Sequence, residues 1–224
     1  MSTAALTLPQ LKCRELPAFD ADKLEAVRAA FAVSEGCGLR QAWRTEPESE
    51  FAPATVRVGW RGDSLLVFAE LADADIFSRA TAPNQRIWEL GDVLEIFLSP
   101  ENSASYAEFH ITPNNYRLQL RFPDTATARR AQAENRFDHL LLPDGVFSSR
   151  TWVQPEKQTW LVLATIPVRV VDVGDRAEGG MKWKFSFSRY DCTRGRPEPI
   201  HSSTSPHARP DFHRREDWGT LIFI

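Results

Sequence analysis

The sequence predicts an all-β fold, an antiparallel β-sandwich of jelly-roll type with one or two short helices. Three observations carry this. Short runs of alternating apolar and polar residues recur through most of the chain. Turn signals separate them at regular spacing. Only two stretches have helical character. A chain of 224 residues suits one large sandwich, and residues 1–224 read as a single domain with no internal repeat.

In chain order, "FDADKLEAVRAAF" is the first helix candidate. Leu24, Val27, Ala30 and Phe31 recur at helical spacing, and Asp20 or Asp22 is placed to cap it. "ATVRVGWRGDSLLVFAEL" reads as a hairpin about the turn Arg61-Gly62-Asp63-Ser64. In "DVLEIFLSP" Leu94, Ile96 and Leu98 share one face, and Val93, Glu95 and Phe97 the other. "SYAEFHITP" sets Ala107, Phe109 and Ile111 against Tyr106, Glu108, His110 and Thr112. "YRLQLRFP" sets Leu118, Leu120 and Phe122 against Arg117, Gln119 and Arg121. Each of these strands thus has one core face and one face carrying polar groups.

"DTATARRAQAENRFDHLLLPDG" holds either a short helix over residues 127–135 or a long loop. "VFSSRTWVQ" and "TWLVLATIP" are strands around the turn "PEKQ". A turn-rich link, "VVDVGDRAEGG", leads to the strand "MKWKFSFSRYD". The segment "CTRGRPEPIHSSTSPHARPDFHRREDW" is rich in Pro, Ser, Arg and His and is expected to be irregular, and "WGTLIFI" closes the chain as a strand. The count is about nine or ten strands. An irregular connection of that length is commonly functional or disordered.

Composition excludes several classes. Net charge is −3, so nothing favours nucleic acid or an anionic membrane. No run reaches the roughly 18 apolar residues of a spanning helix. The N-terminal stretch lacks the pattern of a secretory signal, so a cytoplasmic location is expected, or a secreted or periplasmic one if a signal was removed. Cys13, Cys37 and Cys192 form neither a disulfide framework nor a metal spacing and read as reduced thiols.

Catalytic motifs are missing: no nucleophile elbow, phosphate loop, zincin helix or paired-cysteine motif is present. The carboxylates of Glu95 and Glu108 could flank a glycosidic bond, but acids on a polar strand face are common. The reading is therefore not an enzyme. His201, His207 and His213 recur every six residues, which fits no tight ligand set, and they read as surface loop histidines. Asp73 and Asp75 could offer oxygens to Ca2+, or form a solvated turn.

Seven tryptophans remain to be placed. Trp60, Trp160 and Trp183 sit at inward strand positions. Trp88 and Phe212 lie in polar, loop-type surroundings, where they serve either as caps on the core or as platforms for a ligand. An exposed ring beside polar anchors suits a sugar, whose C–H face stacks while its hydroxyls seek partners.

An ordered series of motifs resembles the carbohydrate-binding module family 9-like proteins, related to the DOMON fold. The series is "VRVGW…DSLLVFAELAD", "W…GDVLEIFLSP", "YAEFHITPNN…LQLRF", "TWLVLATIP", "WKFSFSRYD" and "FHRREDWGTLIF". It runs from about residue 50 to the C-terminus. The resemblance implies a β-sandwich that binds a saccharide without catalysis, holding a terminal sugar between two aromatics. Those correspond to Trp88 and Phe212, with Glu95, His110 and Arg189 at the matching polar positions. It also implies Ca2+ as an optional structural ion. The chain departs from the family pattern at Phe212 (usually Trp), at Arg215 (usually Pro) and at Trp218 (usually Phe or Tyr). The usual "DG-x-x-D-E-x-x-W" opening is degraded to "FDADKLEAVRAAF". Two alternatives stand beside this reading. One is a haem-binding electron carrier, which needs axial ligands such as His and Met181. The other is an interaction domain that has lost its sugar site.

Overall fold

In the computed structural model, which describes residues 7–174 and 176–224, twelve strands form two packed sheets. They are β1 (Gln10–Glu15), β2 (Gly36–Gly38), β3 (Ala54–Arg61), β4 (Ser64–Ala72), β5 (Val93–Pro100) and β6 (Tyr106–Ile111). There follow β7 (Arg117–Phe122), β8 (Ser148–Gln154), β9 (Thr159–Pro167), β10 (Lys182–Asp191), β11 (Ile200–Ser203) and β12 (Gly219–Phe223). Two α-helices, α1 (Leu24–Phe31) and α2 (Thr125–Glu134), and several 3-10 turns, one at Ile87–Glu89, accompany the strands. Among the described residues no helix is long and apolar enough to cross a membrane.

The first sheet runs β7-β6-β5-β10-β12-β1, with β11 pairing the C-terminal half of β10. The second runs β1-β3-β4-β9-β8, with β2 on β3. Strand β1 belongs to both. Its residues Gln10–Cys13 pair with β12, and Arg14 and Glu15 pair with β3, parallel in each case. Every other pairing is antiparallel, as expected. The alternation read from the sequence sends Leu94, Ile96, Leu98, Phe109, Phe185 and Phe187 inward. There they meet Val56, Val58, Val67, Trp160 and Val162 of the second sheet.

Four local expectations need correction. Lys23, not Asp20 or Asp22, occupies the α1 N-cap, with no side-chain cap bond; the Asp20 carboxylate turns instead to the Asp22 N–H. Trp60 is only partly buried, and its indole N–H donates to the C-terminal Ile224 carbonyl. The long segment before β12 contains β11, because Ile200 and its neighbours find the open edge of β10. Strands β1 and β2 were not expected: β1 alternates only through Leu11 and Cys13, and β2 spans three residues, Gly36–Gly38. The expected link around Asp175 includes that residue, which lies outside the described residues.

The polar second faces also need correction, because they do not meet solvent. Helix α1 covers the outer face of the second sheet, packing Val27 and Phe31 on Phe68 and Leu163. Helix α2 and two long loops cover the outer face of the first. A second core forms there from Val93, Phe97, Tyr106, Leu120, Phe122 and Trp218 with Ile87, Ala128 and Phe212. Strands β5 and β6 are therefore buried on both faces.

Candidate saccharide-binding cavity

Glu95, Phe97, Glu108 and His110 lie on this covered outer face, and the strand period of two puts them there. Register brings Glu95 opposite His110, and Phe97 opposite Glu108. Above them opens a cavity of about 620 Å³, within the roughly 300–1,000 Å³ range of small-molecule sites. Three further segments wall it: the 3-10 turn bearing Trp88, helix α2 with its following turn, and the loop 209–213.

Trp88 is set by its neighbours. Ile87 is fully buried and anchors the turn, leaving Trp88 half-exposed beside the cavity. Arg86 reaches the Asn135 carbonyl at 2.6 Å, tying the turn to the α2 C-cap, where Asn135 is left-handed. Gly91 (φ 140°) allows a close backbone approach, since a Cβ there would lie 2.5 Å from the Phe77 carbonyl oxygen. The Trp88 ring stands 5.7 Å from the His110 ring and 5.4 Å, edge to face, from Phe137.

The floor is a chain of ionisable groups. His110 Nε2 lies 3.2 Å from Glu108 Oε2, and its Nδ1 lies 3.1 Å from Glu95 Oε1. The second contact meets the distance but not the angle of a hydrogen bond, so His110 Nδ1 stays without a hydrogen-bond partner although buried. His213 Nδ1 lies 2.8 Å from the Tyr106 hydroxyl and 3.0 Å from Glu108 Oε1. Burial raises the Glu95 carboxyl to about 7. Burial also opposes charge on Glu108, but His213 and His110 outweigh it and hold that carboxyl low. His213 is raised in turn, because Glu108 overcomes its own burial. Glu108 and His213 are thus an ion pair, while Glu95 sits close to neutrality.

Phe212 reaches the cavity wall but is only 5% exposed. Its ring packs among Trp43, Phe97, Tyr190, His201 and His207, at centroid distances from 5.8 to 6.4 Å. It is a wall of the second core and not a free platform. The loop carrying it is pinned by the Trp218 indole, which donates to the Phe212 carbonyl at 2.9 Å. His207 and Arg214 both hold Asp217. Arg215 reaches Ser99 Oγ at 2.7 Å and lies over the Tyr106 and Trp218 rings. The three histidines of this segment are accordingly not surface groups: His207 is fully buried, and His201 and His213 are half-buried.

Arg189 is placed elsewhere. It is fully buried on the β10 side of the loop 72–75 and does not line the cavity. Its guanidinium lies 3.0 Å from Asp73 and 3.2 Å from Asp191, and it donates to the Ala72 carbonyl at 2.6 Å. Asp92 completes a buried triad with those two acids and accepts from the Phe77 and Cys192 N–H groups. Burial and the nearby Asp73 raise the Asp92 carboxyl to about 8, and burial raises Asp191 to about 6. Three acids in one place suit a divalent cation by ligand type. The fit fails because Arg189 already supplies the positive charge between two of them. Asp75 is likewise engaged by the Arg194 N–H and guanidinium. The sequence-based Ca2+ pairing of Asp73 with Asp75 is therefore two arginine contacts.

Sequence reasoning left Phe137, Glu108, His213 and the α2 face out of the site. A signal for Glu108 was present: Val93, Phe97 and Tyr106 share its face, and large apolar groups there mean that the face is covered. Of the ligands named for the haem alternative, Met181 does not line the cavity. Met181 precedes β10, while Tyr190, which lines the cavity, lies nine residues along, about 30 Å away on an extended strand.

No protein-family model matches the chain, nor does any curated protein sequence. Solved structures do match. One from Bacteroides uniformis, described as that of a carbohydrate-binding protein, superposes with a TM-score of 0.75 at 20% identity, covering 97% of this chain and 100% of that one. This chain shares its fold with family 9 carbohydrate-binding modules. A family 9 module from Caldicellulosiruptor kristjanssonii in complex with cellotriose gives a TM-score of 0.65 at 14% identity, covering 96% and 93%. The glucose complex of such a module from the same organism gives 0.63 at 14%, covering 96% of each chain. The family 9-like fold expected from the motif series is thus the fold observed.

Proposed function

We propose that this domain binds a saccharide, without catalysis, in the cavity on the outer face of the first sheet. The observation that carries the reading is the convergence of a half-exposed indole with a buried carboxylate–imidazole chain in one cavity of about 620 Å³. The Trp88 ring offers a face for sugar C–H groups, and Glu95, Glu108 and His110 offer donors and acceptors to hydroxyls. His110 Nδ1, buried without a hydrogen-bond partner in the protein, is the atom a ligand hydroxyl would satisfy. Phe212 shapes the wall and Arg189 holds the neighbouring loops, so only the first of the two family aromatics acts as a plate. The fold shared with modules in complex with cellotriose and glucose supports the same reading.

A glycan array followed by titration calorimetry on the whole chain tests it. Trp88→Ala weakens binding by about thirtyfold, or roughly 2 kcal/mol, the usual cost of losing a central aromatic. Absence of saccharide binding at millimolar concentration, or equal binding by the alanine variant, overturns the proposal.

A further inference from the structure

Charge on the cavity wall is uneven, and the imbalance has one source. Glu108 is paired with His213 and touches His110, which also contacts Glu95. At the rim Arg209 is paired with Asp211 at 3.0 Å. Arg129 also lines the cavity, and among the described residues its guanidinium forms no hydrogen bond, ion pair or ring contact. It is the one charged lining group without a partner there.

Its direction is fixed by the helix. Ala128 and Ala131 are buried on β7, which sets the rotation of α2. At 100° per residue, Arg129 and Gln132 then share the adjacent stripe, and Asn135 continues it at the C-cap. All three line the cavity. The helix is held at both ends: Asp124 accepts from the Thr127 N–H at 2.7 Å, and Arg86 grips Asn135. The sheet floor thus presents hydrogen-bond acceptors with one ion pair, and the helix wall presents donors and one unpaired cation. A ligand complementary to both has hydroxyls on one side and a single negative charge on the other.

We propose that the cavity prefers a saccharide bearing a carboxylate, a uronic acid residue, whose carboxylate is taken by Arg129 with Gln132 beside it. The inference rests on the saccharide reading above. A carboxylate matches the planar guanidinium fork with two parallel hydrogen bonds. A phosphate sugar brings up to two negative charges to one free cation, with no second unpaired cation among the described residues of the wall to meet the other, and is disfavoured by that excess.

The test is calorimetry with the whole chain and four probes: glucuronate, galacturonate, the methyl ester of whichever binds tighter, and glucose 6-phosphate. The expected result is a uronate bound about tenfold more tightly than its ester at low salt, with the gap narrowing at high salt. Arg129→Gln collapses the ratio of acid to ester toward one, and Arg129→Lys, which keeps the charge but not the fork, retains part of it. Arg129 is exposed, so both variants fold; tryptophan fluorescence checks this. Equal binding of acid and ester, tighter binding of the phosphate sugar, or a ratio untouched by Arg129→Gln overturns the carboxylate preference while leaving saccharide binding in place. Failure of all saccharides, neutral ones included, overturns the parent reading as well.

Discussion

Trp88 and Phe212 occupy matching positions in the motif series but sit in different physical settings, so alanine at each should fail differently. Phe212 is 5% exposed and surrounded by five rings. Deleting a buried Phe side chain costs about 3–5 kcal/mol, the lost transfer free energy plus the cavity left behind. For a domain of this size each kcal/mol moves the melting temperature by about 2–4 °C, so Phe212→Ala should melt about 6–20 °C lower. That is a large share of a total stability of about 5–15 kcal/mol. Trp88 is half-exposed in a turn whose buried anchor is Ile87. Its replacement should cost under about 1.5 kcal/mol of stability and instead remove the stacking face. Urea denaturation of both variants, with melting followed by circular dichroism, separates the two. A Phe212→Ala protein within 1 kcal/mol of the parent, or a Trp88→Ala protein destabilised as much as Phe212→Ala, would refute the assignment of wall and plate.

Glu95 is raised from an ordinary carboxyl value to about 7 by burial, so the folded protein binds the extra proton between about pH 4.5 and 7 and stability falls as pH rises through that window. The full span is at most on the order of 3 kcal/mol. Glu95→Gln should flatten that part of the urea-derived profile, with the Glu108–His213 pair left in place beside it; an unchanged profile would count against it. Arg189→Met leaves Asp73 and Asp191 buried without their counter-charge and should cost about 3–5 kcal/mol at neutral pH, less at low pH as Asp191, raised to about 6 by burial, protonates, measured by urea denaturation at both. Because that guanidinium already holds two acids of the triad, millimolar Ca2+ or a chelator should leave the melting temperature of the parent protein within about 1 °C, and a clear rise with Ca2+ would show a cation site that Arg189 does not fill. Gly219→Ala should destabilise by about 1–3 kcal/mol or more, since its Cβ would lie 2.5 Å from the Pro9 carbonyl oxygen at the β1–β12 seam, where backbone cannot yield; a neutral effect in thermal melts would contradict this.

Period-two alternation made strands β3 to β10 and β12 legible one at a time, because side-chain direction in a strand depends only on position parity. It placed Leu94, Ile96 and Leu98 in the core and Glu95 on the opposite face before any partner strand was known. It could not say what lay over that face. The cover comes from residues 77–92, 124–142 and 204–218, and only chain closure brings them above β5 and β6. Composition left Phe212 undecided between platform and wall, and it became a wall because Trp43, Tyr190 and two histidines from distant segments surround it. Arg189 likewise left the expected site because the buried acids of Asp73 and Asp191 lie within its reach and the cavity does not. Local pattern by itself determined most of the strands and which side chains share a face within each. Burial and pairing of ionisable groups are sums over segments far apart in sequence, so only the tertiary structure decided which acids, rings and cations share the cavity.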